Sequence, residues 1–375
     1  MISPSLFHDK IDCTNLGRLF EMKKIALLYG GKSAEHEVSL STAKSVMQAL
    51  NFNEYEVYPV FITLKGEWIA SERLLAPVES IEALQLQGQN VSDNITSFIQ
   101  MHEKVGFDVV LPLLHGTNGE DGTVQGLLEV LNLPYVGNGV LASSAGMDKV
   151  VMKQLFEIAG LKQTPYTYFI RSEWEKNEES VLTNAEASLR YPMFVKPANL
   201  GSSVGISKAT NRVELKSAVE EALKFDRKIV IEQGVVGREI ETAVLGNDEP
   251  KTSVVGEIKQ STDFYDYDSK YKNGTVELVI PADVTTEVDA TISDMAKRAF
   301  KILDGAGLVR ADFFVTADNE VFINEVNSLP GFTPFSMYPL LWEKSGLGYS
   351  DLINELIAFA EARYAEKQKL QFNRG

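Results

Sequence analysis

A short hairpin near the C-terminal end constrains this chain more than any other stretch. Two runs rich in β-branched and aromatic residues, Val309 to Thr316 and Val321 to Asn327, flank Asp318-Asn319, a pair that tolerates the positive φ of a tight turn. With Asp318-Asn319 as a two-residue loop, Thr316 pairs with Val321, Phe314 with Ile323, Asp312 with Glu325, and Arg310 with Asn327. Side chains alternate faces with period two, so all eight fall on one face. Two carboxylates directly opposite each other repel, because their Cβ atoms stand only about 5 Å apart. A cation removes the conflict, and Asp, Glu and Asn supply the hard oxygen ligands that Mg²⁺ prefers. Taken alone, the same residues also fit a solvated, charged end of a hairpin.

Length and charge bound what such a cation could serve. A chain of 375 residues predicts two or three domains. Its formal net charge of -16 argues against a general affinity for nucleic acid or anionic membranes, while leaving room for a small basic pocket for phosphates. Cys13 is the only cysteine, so no intrachain disulfide forms and a cytoplasmic setting fits. The four histidines, at 8, 36, 102 and 115, make no zinc-type cluster. No stretch approaches the ~20 apolar residues of a membrane helix. Residues 1–21 lack the pattern of a signal peptide and precede a second start-like point, Met22-Lys23-Lys24. They read as a loosely held extension, with a docked N-terminal helix as the alternative.

The apolar run Lys24 to Tyr29 predicts a buried parallel strand. Gly30-Gly31-Lys32-Ser33 turns it into a helix from about Glu35 to Leu50, a plausible ligand mouth in an α/β sheet. Glu35 near a helix start is also favoured by the dipole alone. Phe107 to Leu114 is a further buried strand, and it ends at His115-Gly116 and a loop carrying Glu120 and Asp121. His115 fits either a ligand mouth or a satisfied half-buried histidine. Lys149 lies in a helix opened around Ala145 to Asp148. The strand Tyr191 to Pro197 carries Lys196 at its end and runs into the Gly/Ser-rich loop Ala198 to Ile206. Such a loop lets backbone N–H groups approach a phosphate, or is simply a flexible hairpin. Further strands are expected over Lys228 to Val235, Gly237 to Val244 and Ser253 to Lys259, with an amphipathic helix over Thr285 to Leu303. Residues 261–275 form a long charged, tyrosine-rich loop of the kind that serves as a lid, a binding loop or a disordered segment.

Together these stretches resemble the D-alanine–D-alanine ligases of the ATP-grasp superfamily. The likeness runs from Met22 to about residue 365. It rests on Gly30 to Ser39, His115 to Gly122, Lys196-Pro197 with Gly201 to Gly205, Lys270-Tyr271, Arg310-Ala311-Asp312 and Asn324 to Asn327, in this order. The implied fold class is α/β, a three-domain ATP-grasp ligase. An N-terminal parallel-sheet (pre-ATP-grasp) domain would span 22–137, a central ATP-grasp domain 138–235, and a C-terminal ATP-grasp domain 236–375 with the metal site and the lid 261–275. Residues 1–21 remain the extension.

The resemblance also implies the chemistry. ATP phosphorylates the carboxylate of one D-alanine, and the amine of a second attacks the acyl phosphate, for peptidoglycan precursors. Asp312, Glu325 and Asn327 would hold two Mg²⁺ (or Mn²⁺), while Lys149 and Lys196 would bind phosphates. The loop with Ser202 and Ser203 would cover them. Glu232, Gln233 and Val235 would meet the adenine edge, Glu239 the ribose, and Phe314 would complete the nucleotide site. Many relatives carry lysine at position 233, so that contact departs from the family pattern. Arg310 and the Gly331 N–H would stabilise the tetrahedral intermediate. Glu35 would take the first D-alanine's ammonium and His115 would lie near its carboxylate. Lys270 would line the substrate site, and Ser336 and Met337 would meet the second carboxylate. Glu35, Ser202 and Tyr271 would join three domains and close the lid. A homodimer is implied as well. The nearest alternatives are a D-alanine–D-lactate ligase, another ATP-grasp carboxylate–amine ligase, and a nucleotide-binding protein without ligase activity.

Overall fold

The structure, a computed structural model, describes residues 22–87, 94–201, 204–260 and 276–371. The N-terminal part comprises β1 (Lys23–Gly30), α1 (His36–Ala49), β2 (Tyr55–Ile62), β3 (Trp68–Ala70), α2 (Ile95–Val105), β4 (Val109–Pro112) and α3 (Thr123–Val130). Its sheet runs β3-β2-β1-β4, with β1 parallel to both neighbours and β3 antiparallel at the edge. Both faces of β1 are buried, which is why its sequence is apolar without alternation. The turn after β1 needs glycine at its first position: Gly30 has φ +90°, and a Cβ there would stand 2.2 Å from the Ile62 carbonyl oxygen. The Ser39 hydroxyl accepts from the Gly30 N–H at 2.8 Å and donates to the Leu113 carbonyl, tying the ends of β1 and β4 to α1.

The central part comprises α4 (Val140–Met147), α5 (Lys149–Ile158), β5 (Tyr166–Ile170), α6 (Arg171–Lys176), α7 (Glu178–Ser188), β6 (Met193–Pro197), β7 (Ser207–Ala209), α8 (Arg212–Ala222) and β8 (Lys228–Gln233). Its sheet is antiparallel in the order β5-β8-β6-β7. Of the residues expected to open the Lys149 helix, Ala145, Gly146 and Met147 instead close α4. Asp148 then caps α5, its carboxylate accepting from the Val150 and Val151 N–H groups at 3.0 and 3.1 Å.

The C-terminal part comprises β9 (Arg238–Gly246), β10 (Lys251–Gln260), β11 (Val276–Val279), α9 (Thr286–Ile302), β12 (Gly307–Val315), β13 (Val321–Asn327), α10 (Met337–Lys344) and α11 (Tyr349–Lys367). Its sheet runs β11-β10-β9-β12-β13, antiparallel throughout. Helix α9 packs on one face, burying Val309, Ala311, Phe313, Val315 and Ile323 with Ile292, Ala296 and Phe300. On the other face a continuous apolar core joins α10 and α11 to α1 and to one side of the N-terminal sheet. The N-terminal and C-terminal parts therefore share a core. The segment before β5 also joins the C-terminal sheet, since the Ile323 N–H donates to the Lys162 carbonyl at 2.9 Å.

The hairpin β12–β13 departs from its expected register near the turn. Thr316 pairs with Glu320 around a three-residue loop, with the Asn319 N–H donating to the Thr316 carbonyl and Asn319 at φ +62°. This is a turn followed by a left-handed residue, the next commonest hairpin closure after the two-residue loop. Val315 then pairs with Val321, Phe314 with Phe322 and Phe313 with Ile323. A β-bulge at Asn324 absorbs one residue, after which Asp312 faces Glu325 and Arg310 faces Asn327 as expected. The expected pairs Thr316–Val321 and Phe314–Ile323 are thus incorrect, and Ile323 lies on the buried face. The site-bearing face carries Arg310, Asp312 and Phe314 opposite Asn327, Glu325 and Phe322.

Candidate active site

Three adjacent strands build the floor of the site. Across β9, β12 and β13 the register sets Glu239 beside Phe314 and Phe322, Glu241 beside Asp312 and Glu325, and Ala243 beside Arg310 and Asn327. Antiparallel neighbours share a face, so the middle row is three carboxylates side by side. Arg310 lies among them. Its Nε and Nη2 donate to the two oxygens of Asp312 at 2.8 and 2.7 Å, and Nε lies 3.0 Å from Glu241 Oε2. Burial works against the guanidinium's charge, but Asp312, Glu241 and Glu325 outweigh it and raise its pKa further.

The central part brings lysines to this floor. Lys149, at the first turn of α5, donates from Nζ to the Leu200 carbonyl at 2.8 Å and lies 3.5 Å from Glu325 Oε2. Lys196, at the end of β6, pairs with Glu232 on the neighbouring β8 at 2.7 Å. Glu232 also meets Lys153 at 3.0 Å, and Lys153 is fully buried. Burial alone would raise the Glu232 carboxyl, but Lys153 and Lys196 bring it down to about 2. Burial also pulls the Lys153 ammonium down. Lys196 moves the other way, since Glu232 and Glu325 outweigh its desolvation. Gln233 Oε1 accepts from the Arg190 N–H at 3.0 Å, which ties this amide to the segment before β6. Val235 is half-buried between β8 and β9. The loop after Lys196 needs glycine at Gly205, whose φ is +72° and where a Cβ would press on Phe225 and Pro197 at 2.8 and 2.9 Å.

The N-terminal mouth supplies Glu35 and His115. Glu35 caps α1 by position and makes no side-chain cap bond. Its carboxylate instead lies against the loop after β4 and reaches the loop after β6 in the central part. A Cβ on Gly116 would stand 2.7 Å from Glu35 Oε2, and one on Gly201 3.5 Å from it. His115 is buried, with Nδ1 3.2 Å from Glu120 Oε1 and Nε2 3.3 Å from Thr42 Oγ1. Burial disfavours its charged form, yet Glu120 and, more weakly, Glu35 raise its pKa overall. In the loop before α10, Ser336 Oγ accepts from the Thr333 N–H at 3.0 Å and would stand 3.2 Å from a Cβ on Gly331. Met337 turns into the core, where a Cβ on Gly256 would meet its Sδ at 2.9 Å. Its side chain is therefore not available to a substrate, and only its backbone N–H at the helix start is. Ser202, Ser203, Lys270 and Tyr271 lie outside the described residues.

Three residues were not singled out in the sequence: Lys153, Glu241 and Thr42. Two carried a signal. Lys153 follows Lys149 at i+4 on one helix face, and Glu241 follows Glu239 at the strand period of two. Thr42 matters only because the fold brings α1 against the end of β4.

Among the described residues, no three carboxylates or imidazoles converge as a closed metal cage. Asp312, Glu325 and Asn327 are instead an open set of hard oxygen donors beside two lysines. That suits Mg²⁺ or Mn²⁺ shared with substrate phosphates, since Mg²⁺ usually takes one or two carboxylates and keeps the rest for phosphate and water. No helix among the described residues is long and apolar enough to cross a membrane.

Comparison with known proteins agrees with this geometry. The family model "D-ala D-ala ligase N-terminus" matches residues 24–138, and "D-ala D-ala ligase C-terminus" matches residues 155–358. A D-alanine--D-alanine ligase of Bacillus cytotoxicus is 57% identical over 356 residues, covering 93% of this chain and 98% of the relative. One of Bacillus velezensis is 58% identical over 351 residues, covering 92% and 99%. Among solved structures, the D-alanine-D-alanine ligase from Coxiella burnetii aligns with a TM-score of 0.76 at 32% identity, covering 93% of this chain and 97% of that one. The VanG D-Ala:D-Ser ligase from Enterococcus faecalis aligns at 0.77 and 34%, covering 91% and 100%. On its matched sequence and its three-sheet architecture, the chain belongs to the D-alanine–D-alanine ligase family of ATP-grasp enzymes.

Proposed function

We propose that this protein joins two D-alanines at the expense of ATP, through a D-alanyl phosphate, for peptidoglycan precursors. The observation that carries the reading is the meeting of three sets of groups. Carboxylate and guanidinium groups on β12 and β13 face lysines on α5 and β6, and the Glu35 carboxylate reaches the start of the loop after β6.

Phosphoryl transfer needs positioning and charge neutralisation rather than a protein nucleophile. Lys149 and Lys196 hold the phosphates. Asp312, Glu325 and Asn327 hold Mg²⁺ or Mn²⁺, which when bound supplies charge neutralisation at the phosphate oxygens. Glu239 and Phe314, neighbours on β9 and β12, take the ribose and the nucleotide's apolar side, and the main chain from Glu232 to Val235 takes the adenine. Glu35 binds the first D-alanine's ammonium. His115, its cationic form favoured by Glu120, attracts that substrate's carboxylate. The acyl carbon gains the amine nitrogen of the second D-alanine and loses phosphate. Arg310 and the Gly331 N–H stabilise the negative oxygen formed in between. The second substrate's carboxylate lies at the N-terminus of α10, against Ser336 and the Met337 N–H. Family membership extends the proposal to a cytoplasmic homodimer.

Phosphate release from ATP, measured with D-alanine, L-alanine or neither, tests the reading. D-alanine alone should stimulate release, and its failure to do so would sink the assignment. The likeness to a D-Ala:D-Ser ligase makes D-serine the second acceptor to compare, with D-lactate as the depsipeptide control.

A further inference from the structure

We infer that Glu241 is a positioning residue that draws Arg310 off Asp312 and thereby sets how tightly the site takes a divalent cation. The inference deepens the proposed metal role of Asp312 and rests on it. Glu241 is only 4% exposed and stands directly beside Asp312 on the neighbouring strand. Its charge is turned towards the guanidinium that the reaction needs, 3.0 Å from Arg310 Nε.

The geometry sets up a competition. Arg310 engages both oxygens of Asp312 at 2.8 and 2.7 Å in a bidentate pair. Such a pair is among the strongest side-chain contacts and occupies the same lone pairs a cation would coordinate. For Asp312 to serve as a metal ligand, the guanidinium must loosen its hold. A guanidinium only 18% exposed does so most readily where a second carboxylate is at hand, because leaving a largely buried charge unpaired is destabilising. Glu241 is that carboxylate, already within ion-pair distance. The residue opposite Arg310 on β9 is Ala243, whose small side chain leaves the guanidinium room to lean across towards Glu241. Glu241 thus holds Arg310 on the site-bearing face whether or not Asp312 is committed to a cation.

A double-mutant cycle on Mn²⁺ binding tests this. Mn²⁺ is titrated into the full-length protein with ADP, protein in excess, and the loss of the free-ion electron paramagnetic resonance signal is followed. Glu241→Gln should raise the Mn²⁺ dissociation constant about tenfold, within the range of measured couplings between contacting groups. In an Arg310→Met background the same change should alter it less than twofold, because no guanidinium remains to compete. Arg310→Gln serves as the second background if the first does not fold, as judged by circular dichroism. An equal loss in both backgrounds would make Glu241 a direct ligand or a through-space charge, and would overturn the inference. No loss in either background would overturn it too. If the parent protein itself binds no Mn²⁺, the metal assignment of Asp312 falls, a result distinct from failure of the Glu241 role alone.

Discussion

Glu232 shows how much one side chain can carry in this site. It is 4% exposed, and two lysines depend on it, one of them fully buried. Taking one partner from a buried ion pair leaves an uncompensated charge, which typically costs about 3–5 kcal/mol. Glu232→Gln should therefore lose about that much stability at pH 7, measured by urea unfolding. The effect has a signed pH dependence. Burial pushes the carboxyl up and the two lysines pull it further down, so its folded pKa is depressed to about 2. A depressed carboxylate stabilises the fold above its unfolded value and loses that contribution as pH falls through the folded one. The gap between parent and variant should be flat near neutrality, then shrink as pH falls from the ordinary glutamate range of about 4.3 towards the folded pKa. A gap that widened on acidification would contradict the lysine pairing. Gln233 illustrates a second point at this scale: its amide is tied to the Arg190 N–H.

The hairpin β12–β13 is the element on which the proposed chemistry depends. Its essential facing, Asp312 against Glu325, was legible in the sequence, but for a reason only half right. A two-residue loop and a regular ladder lead to the same pair as a three-residue loop followed by a bulge, because the two irregularities cancel in register. Near the turn they do not cancel, and there the expected partners of Phe314 and Thr316 were wrong. The loop makes its own prediction. Asn319 holds φ +62°, a conformation that costs most side chains about 1–2 kcal/mol. Asn319→Val should lose stability by about that amount in urea unfolding. Asn319→Gly should not, and both should release phosphate at the parental rate per folded molecule. Equal stability of the valine and glycine variants would argue against the left-handed loop.

At the scale of the whole molecule, the site exists only where three sheets meet. Glu35 and His115 come from the ends of β1 and β4, Lys149, Lys196 and Glu232 from the central part, and Arg310, Asp312 and Glu325 from the C-terminal sheet. The chain passing from the first part to the second is held by α11. Arg363 donates to the Gly137 and Tyr135 carbonyls at 2.5 and 3.1 Å and lies over the Tyr135 ring. Hydrogen bonds to a charged donor contribute about 1.5–3 kcal/mol each. Arg363→Ala should lower stability by about 2 kcal/mol or more. It should also speed amide exchange at 136–138 relative to the central sheet. Unchanged exchange there would show that the linker does not depend on α11.

The sequence by itself determined the local elements and most of the chemical inventory. Runs of apolar residues set the strands, the glycines at 30, 31, 201 and 205 set the turns, and period two set Arg310, Asp312 and Phe314 on one face. Motif order identified the family and most of the residues gathered in the site. Only the tertiary structure decided who stands beside whom. That β9 flanks β12, putting Glu241 next to Asp312, follows from strand order, which no local pattern encodes. That Lys153 and Lys196 share Glu232, or that Met337 faces the core rather than a substrate, follows from packing between segments far apart in the chain. Periodicity is a property of neighbours along the chain and survives reading in one dimension. A buried charge's partner is chosen by desolvation and by whichever counter-charge the fold brings within about 4 Å, where Coulomb attraction is strong.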